Sequence, residues 1–233
     1  MADLLVIVPT RGRPESLPKI WAAWTATGAF MQADLVFVVD ADDPVIDDYE
    51  ATWEEQRFGF TGRMVRAEKW EPLVPKLDAA ALAYAGSYFA LGFMGDDHRP
   101  RTAAWSKTMV DALREMGTGV VYGDDLLQRE RLCTSWAMTS DIVRALGRMV
   151  PAPVEHMACD NAVMDLAKLA GCLRYLPDVV IEHMHPLAGK TDWDDGYRRV
   201  NRPEQYRSDE LAYGRWMRNG RATDVAKVKA LMT

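Results

Sequence analysis

Two adjacent carboxylates, Asp96 and Asp97, close the apolar run Phe89–Ala90–Leu91–Gly92–Phe93–Met94–Gly95. Like charges side by side call for a counter-charge. A hard divalent cation supplies one and keeps coordination positions open for phosphate oxygens. The run before the pair has the length and composition of a buried strand. In an open α/β sheet, ligands sit beyond the carboxyl ends of the strands. Asp96 and Asp97 therefore stand where a cation and a phosphorylated ligand would be held. A solvated turn is the competing reading of the pair taken alone. A second pair, Asp124–Asp125, ends the run Gly119–Val120–Val121–Tyr122–Gly123. It ranks lower, because Gly117, Gly119 and the stretch 126–131 read as a hairpin or loop. Val179–Val180–Ile181–Glu182–His183–Met184–His185–Pro186 reads as a strand that sets His183 and His185 on one face. Either histidine is a candidate metal ligand, and either is equally at home as an ordinary strand end.

Cationic and hydroxyl groups sit at other strand ends. The β-branched run Leu4–Leu5–Val6–Ile7–Val8 breaks into Pro9–Thr10–Arg11–Gly12–Arg13–Pro14. A hydroxyl and two guanidiniums at a strand's carboxyl end suit a nucleotide. A single Gly12 does not make a phosphate-cradling loop. Asp40 ends a second buried run, Asp34–Val39, where it can accept hydrogen bonds from a base or ribose. Asp42 and Asp43 read as caps of the helix that follows. Gly189–Arg199 is polar, aromatic and glycine-containing, the composition of a functional mobile loop. Its Lys190, Arg198 and Arg199 suit closure over a pyrophosphate, against the plainer reading of a solvated connector. Asp160 lies at the start of a helix, where an N-cap is the simplest role.

The elements that must position these groups follow from periodicity. The first hundred residues read as β-α-β-α-β-α-β, with helices over about 15–27, 44–57 and 76–85, a short strand at 63–66 and an irregular stretch at 70–75. A helix over 101–116 follows, with Trp105, Met109, Leu113 and Met116 on its core face. Strands are expected at 119–125, 132–138 and 179–186. Helices are expected at 139–147, 159–170, 203–217 and 222–231. The fold class is α/β, with a Rossmann-like, mostly parallel central sheet flanked by helices and a C-terminal helical tail.

The chain has 233 residues, of which 48% are hydrophobic and 27% charged, with a net charge of −6. No global basic field points to nucleic acid. The three cysteines lack metal-ligand spacing and read as free thiols of a reducing compartment. No signal-peptide pattern or membrane-length apolar run is present, so a cytoplasmic location is expected.

In order and spacing, Ile7–Pro14, Val38–Val39–Asp40, Met94–Gly95–Asp96–Asp97 and the late Asp160 resemble the GT-A glycosyltransferases. The likeness is to the family 2-like, inverting, nucleotide-sugar-dependent enzymes, over about residues 4–186. The resemblance implies a single GT-A domain over 1–233. Residues 1–97 would form the nucleotide-sugar-binding half, 98–187 the acceptor half, and 188–233 a lid loop and C-terminal helices. It implies a donor site of Thr10, Arg13, Asp40, Lys76, Asp78 and Asp96, to which the loop readings above add Pro9 and Arg11, with Lys190 and Arg198 closing over it. It implies Asp97 as metal ligand, completed by His183 or His185, with Mn²⁺ or Mg²⁺ as cofactor. It implies Asp160 as general base, and a UDP-sugar as the expected donor. Gly95 stands where the family often has the first acid of its DxD signature, and Cys159 where it usually has Glu. The acceptor half holds Trp105, Tyr122 and Trp136 as candidate stacking surfaces. A saccharide, a protein side chain, a lipid carrier and a modified nucleobase are all open as acceptors, the lipid carrier disfavoured because the chain shows no membrane anchor. A nucleotidyltransferase of the same topology and a non-catalytic nucleotide-sugar binder are the alternatives. The first would normally carry a glycine-rich basic loop after the first strand.

Overall fold

The computed structural model describes residues 2–56, 62–67 and 72–233. The helix end expected at 57 and the first two residues of the expected irregular stretch, 70 and 71, lie outside these residues.

Seven elements alternate as expected: β1 (Leu4–Thr10), α1 (Ser16–Thr27), β2 (Ala33–Asp40), α2 (Ile46–Gln56), β3 (Gly62–Ala67), α3 (Leu73–Tyr84) and β4 (Ala90–Phe93). After them come β5 (His98–Pro100), α4 (Trp105–Met116), β6 (Val120–Asp124), β7 (Trp136–Thr139) and α5 (Ser140–Leu146). The chain ends with α6 (Cys159–Ala170), β8 (Leu173–His183), α7 (Asp195–Val200), α8 (Pro203–Asn219) and α9 (Arg221–Lys229). One sheet runs β3-β2-β1-β4-β7-β6-β8-β5. The β1–β2, β1–β4 and β2–β3 pairs are parallel, and β7 is antiparallel to both β4 and β6.

Burial explains why β1 and β2 lack a polar face. Every residue of both strands is buried. Alternate side chains enter two cores: Leu5, Ile7, Val36 and Val38 pack with Leu77 of α3 and Val163 of α6, while Leu4, Val6, Leu35 and Phe37 pack with Trp24 of α1 and Trp105 of α4. The parallel strands end together at Thr10 and Asp40, with Asp96 just beyond β4, so the site groups share one edge of the sheet.

Three expectations are corrected here. The helix placed at 101–116 begins at Trp105, because 98–100 pairs as β5 against β8 and Ala104 takes a left-handed φ of 53° before the helix. The strand placed at 179–186 begins at Leu173 and ends at His183. The pairing with β6 shifts register between Gly123 and Asp124, and the strand runs through Pro177. At Gly123 a Cβ would lie 2.2 Å from the carbonyl oxygen of Val179, so only glycine permits this close approach. Trp105, Trp136 and Tyr122 are no stacking surface: they are 0%, 1% and 2% exposed and belong to the core.

Candidate active site

A cavity of about 640 Å³ opens at the carboxyl edge of the parallel strands. One end is built by the loops after β1 and β2. Thr10 donates its hydroxyl to Asp96 Oδ2 at 2.8 Å and shares a 2.9 Å hydrogen bond with Tyr49. Arg11 Nη1 bridges Asp40 Oδ2 and Asp42 Oδ1 at 3.0 and 2.7 Å. Lys76, 5% exposed, reaches the fully buried Asp40 at 2.5 Å. Gly12 turns with φ 68°, and its N–H is held by Asp43 Oδ2 at 2.7 Å. Asp43 also accepts from Val45 N, the helix-entry role expected of it. Pro9, Thr10, Arg11, Arg13, Asp40 and Lys76 all line the cavity.

The floor holds a metal-competent cluster. One donor atom from each of Asp97, His98 and His183 lies within 4.8 Å of the others. The antiparallel pairing of β5 with β8 sets His98 opposite His183, and their rings stack at 4.2 Å with 20° between planes. His183 Nε2 is 3.2 Å from Asp97 Oδ2, and His98 Nδ1 is 3.1 Å from Asp97 Oδ1. His98 Nε2 and His183 Nδ1 are buried without a hydrogen-bond partner. Two imidazoles and a carboxylate brought this close are a donor set that fits a divalent cation, and each ring keeps one buried nitrogen without a partner. Burial would raise Asp97, but hydrogen bonds and charge from His183 and His98 outweigh it and hold the carboxyl well below its ordinary range. Burial would lower His183, but Asp125 and Asp97 carry it up to about 9. Burial lowers His98, and His183 adds to that. Asp96 is raised by burial against the pull of Arg13.

His185 lies past the end of β8, outside the cluster. It lines the cavity, and its Nδ1 accepts from Leu187 N at 3.2 Å. Strand alternation fails to pair it with His183 because the strand has already ended. His98 enters instead. It followed Asp97 directly in the sequence, and only its strand partner was invisible there. Asp125 does not hold this position either. Its Oδ1 accepts the N–H groups of Leu127, Gln128 and Arg129 at 2.9, 2.6 and 2.8 Å, and its Oδ2 accepts from Thr134 at 2.8 Å while lying 3.9 Å from His183 Nδ1.

The segment after β8 folds across the cavity. Arg13 grips Asp194 with two hydrogen bonds of 2.6 and 2.9 Å, donates to Asp96 at 2.7 Å, and stacks 4.1 Å from the Tyr197 ring centroid. Tyr197 and Asp194 were not singled out by sequence, because neither aromatic nor acid stands out within a polar loop. Of the cations expected to close over a pyrophosphate, Lys190 pairs with Glu182 at 2.7 Å and the exposed Arg198 with Asp195 at 3.1 Å. Neither lines the cavity; Arg199, the third expected cation, does, and so does Arg202. The one-turn phase of α7 decides which arginine faces inward.

Asp160 also lines the cavity, in the first turn of α6. Its Oδ1 accepts from Asn161 N at 2.8 Å, and burial raises its pKa. Asp78, in contrast, is turned away from the cavity: it accepts the N–H groups of Met149 and Val150 at 2.8 and 2.9 Å.

The sequence matches no family model and no curated protein. Solved structures share its shape. The mannosyltransferase PcManGT from Pyrobaculum calidifontis, in complex with GDP-Man and Mn²⁺, matches with a TM-score of 0.65 at 14% identity, over 98% of this chain and 73% of that one. TarS 1-349 from S. aureus matches with a TM-score of 0.55 at 14% identity, over 100% of this chain and 90% of that one. Its complex with UDP-GlcNAc matches with a TM-score of 0.55 at 12% identity, over 95% and 74%. This chain covers 36% of a longer TarS chain. Among the described residues, no helix is long and apolar enough to cross a membrane. The sheet order, the strand-edge cavity and these likenesses together establish that the chain has the GT-A fold of nucleotide-diphospho-sugar transferases.

Proposed function

We propose that the protein is a metal-dependent glycosyltransferase that moves a sugar from a nucleotide-sugar donor to an acceptor hydroxyl with inversion. The observation that carries this reading is the cluster Asp97–His98–His183, set in one cavity with the nucleoside-type contacts of Thr10, Asp40 and Lys76 and with the carboxylate of Asp160. Asp97, His98 and His183 would hold Mn²⁺ or Mg²⁺. When bound, the ion stabilises the negative charge that develops on the departing diphosphate.

The chain's own residues supply the rest. Asp40 and Thr10 hold the nucleoside, with Asp40 kept in place by Arg11 and Lys76. Arg13, Arg199 and Arg202 offer cationic donors to the phosphates. Tyr197 and the strap around it exclude water from the reacting centre. Asp160 takes the proton of the acceptor hydroxyl. The freed oxygen attacks the anomeric carbon from the face opposite the nucleotide, forming the new C–O bond as the bond to the diphosphate oxygen breaks. A carboxyl raised by burial is a stronger base than an exposed one. A single displacement of this kind needs no enzyme nucleophile, and the three free cysteines are buried.

A UDP-sugar is the donor we put first, on family resemblance. The structural neighbours include complexes with both GDP-Man and UDP-GlcNAc. A thermal-shift panel of nucleotides and nucleotide sugars, each with and without Mn²⁺, tests the reading. Stabilisation by one nucleoside diphosphate only when metal is present is expected. Stabilisation by triphosphates alone would move the assignment to nucleotidyl transfer, and no stabilisation at all would remove it.

A further inference from the structure

The loop between α5 and α6 forms the cavity wall beside Asp160, and its shape is set from outside. Asp209 of α8, 1% exposed, accepts three consecutive main-chain N–H groups: Glu155 on Oδ1 at 2.7 Å, and His156 and Met157 on Oδ2 at 3.0 and 2.7 Å. Gln205 donates to the same Oδ2 at 2.8 Å. From the other side, the Glu155 carbonyl accepts from Val74 N at 2.9 Å, in the first turn of α3. A buried carboxylate committed to three backbone donors holds those residues in one conformation.

The side chain so placed is His156. It lines the cavity with Met157, Ala158 and Asp160, and lies in the fields of Asp209, Arg199, Asp97 and Lys76. Its backbone N–H is taken by Asp209, while its ring has no hydrogen-bond partner among the described residues. It stands outside the Asp97–His98–His183 cluster. Burial lowers its pKa to about 4, so at neutral pH the ring carries one N–H donor and one bare acceptor nitrogen. The phosphates are matched by the arginines and the cation by the cluster. A neutral ring with one donor and one acceptor matches a hydroxyl, which also donates and accepts.

We propose that His156 reads a hydroxyl of the transferred sugar, and that Asp209 is the positioning residue that aims it. The proposal rests on the donor-site reading above and deepens it. The test is calorimetric titration, with Mn²⁺ present, of UDP, GDP, UDP-GlcNAc and GDP-Man into the wild type and into His156→Ala, His156→Gln and Asp209→Asn. The expected result is a loss of about tenfold in affinity for the nucleotide sugar in His156→Ala, one neutral hydrogen bond's worth. Affinity for the matching bare diphosphate should stay within about twofold. Glutamine, which offers both a donor and an acceptor, should recover part of the loss, and Asp209→Asn should reproduce the sugar-specific split without touching ligand. Equal weakening of sugar nucleotide and diphosphate, or no weakening, overturns the His156 assignment and leaves the donor site standing. Failure of the wild type to bind any of the four removes the donor-site reading and this inference with it. If Asp209→Asn does not fold, the two His156 variants decide the matter alone.

Discussion

Tyr197 donates its hydroxyl to Asp97 Oδ2 at 2.7 Å, across a separation of 100 residues. The same oxygen faces His183 Nε2 at 3.2 Å. The strap that carries Tyr197 is held by the paired bonds from Arg13 to Asp194. The strap, the β1 loop and the metal-competent cluster are therefore one connected network.

Breaking the network at Arg13 should open the strap. Arg13→Ala removes the bidentate bond and the ring contact, and leaves Asp96 without its nearest cation; a loss of roughly 2–4 kcal/mol in stability is expected for a part-buried pair. Protease cleavage within 187–200 should speed up in this variant and slow down in the wild type when nucleotide and Mn²⁺ bind. Cleavage indifferent to both would show that this contact does not hold the strap.

Metal dependence should track the cluster and not the histidine count. Asp97→Ala and His98→Ala should each lower Mn²⁺ affinity by more than about tenfold, with loss of metal-dependent donor binding. His185→Ala should change affinity by less than about threefold. A chelator should erase the nucleotide-induced thermal shift of the wild type. Unchanged Mn²⁺ binding in Asp97→Ala would falsify the cluster as the metal site.

Asp160→Asn keeps the size of the side chain and removes the base. Donor binding should persist, while transfer falls by about 10²–10⁴-fold, the usual worth of a positioned base. Single-turnover transfer beside a donor titration separates the two. Full activity would put the base elsewhere.

His156 predicts an acid limb of stability. Its folded pKa of about 4 lies below the ordinary histidine value of about 6.5. Between these values the unfolded chain takes up the proton first, so stability falls as the pH drops from about 6.5 toward 4. Allowing for the ring's partial exposure, this amounts to about 1–3 kcal/mol. Urea unfolding of the wild type and His156→Gln at pH 7 and pH 4.5 should show the variant losing less. An equal loss in both would mean the ring is not held neutral.

Gly123→Ala places a methyl against the Val179 carbonyl and should cost about 2–4 kcal/mol, because backbone must move. The shift propagates along β8 to His183, so Mn²⁺ affinity should fall together with the melting temperature. A variant with normal metal binding and normal stability would show that the bulge is not needed.

Much of this protein is local and therefore legible in its sequence. Unbroken apolar runs at Leu4–Val8 and Leu35–Val39 specify strands buried on both faces, and the apolar-to-polar transitions at Thr10, Asp40 and Asp96–Asp97 mark the ends where a ligand sits. Asp160 at a helix start follows from the same kind of local pattern. What lay beyond reach is pairing across long separations. His98 meets His183 only because β5 pairs antiparallel with β8, and a three-residue strand carries no periodicity of its own. His185 falls outside because the strand stops two residues earlier. Of the three expected cations only Arg199 lines the cavity, joined by Arg202, because a short helix and its packing, not composition, choose which side of the strap turns inward. Trp105, Tyr122 and Trp136 have the chemistry of a sugar platform, but the sheet buries them. The sequence alone determined that the buried strands β1, β2 and β4 form and where their carboxyl ends lie, because burial acts on each strand's own residues. Tertiary structure alone decided which of the available histidines, arginines and aromatics meet at that edge, because register and helix phase depend on partners far away in the chain.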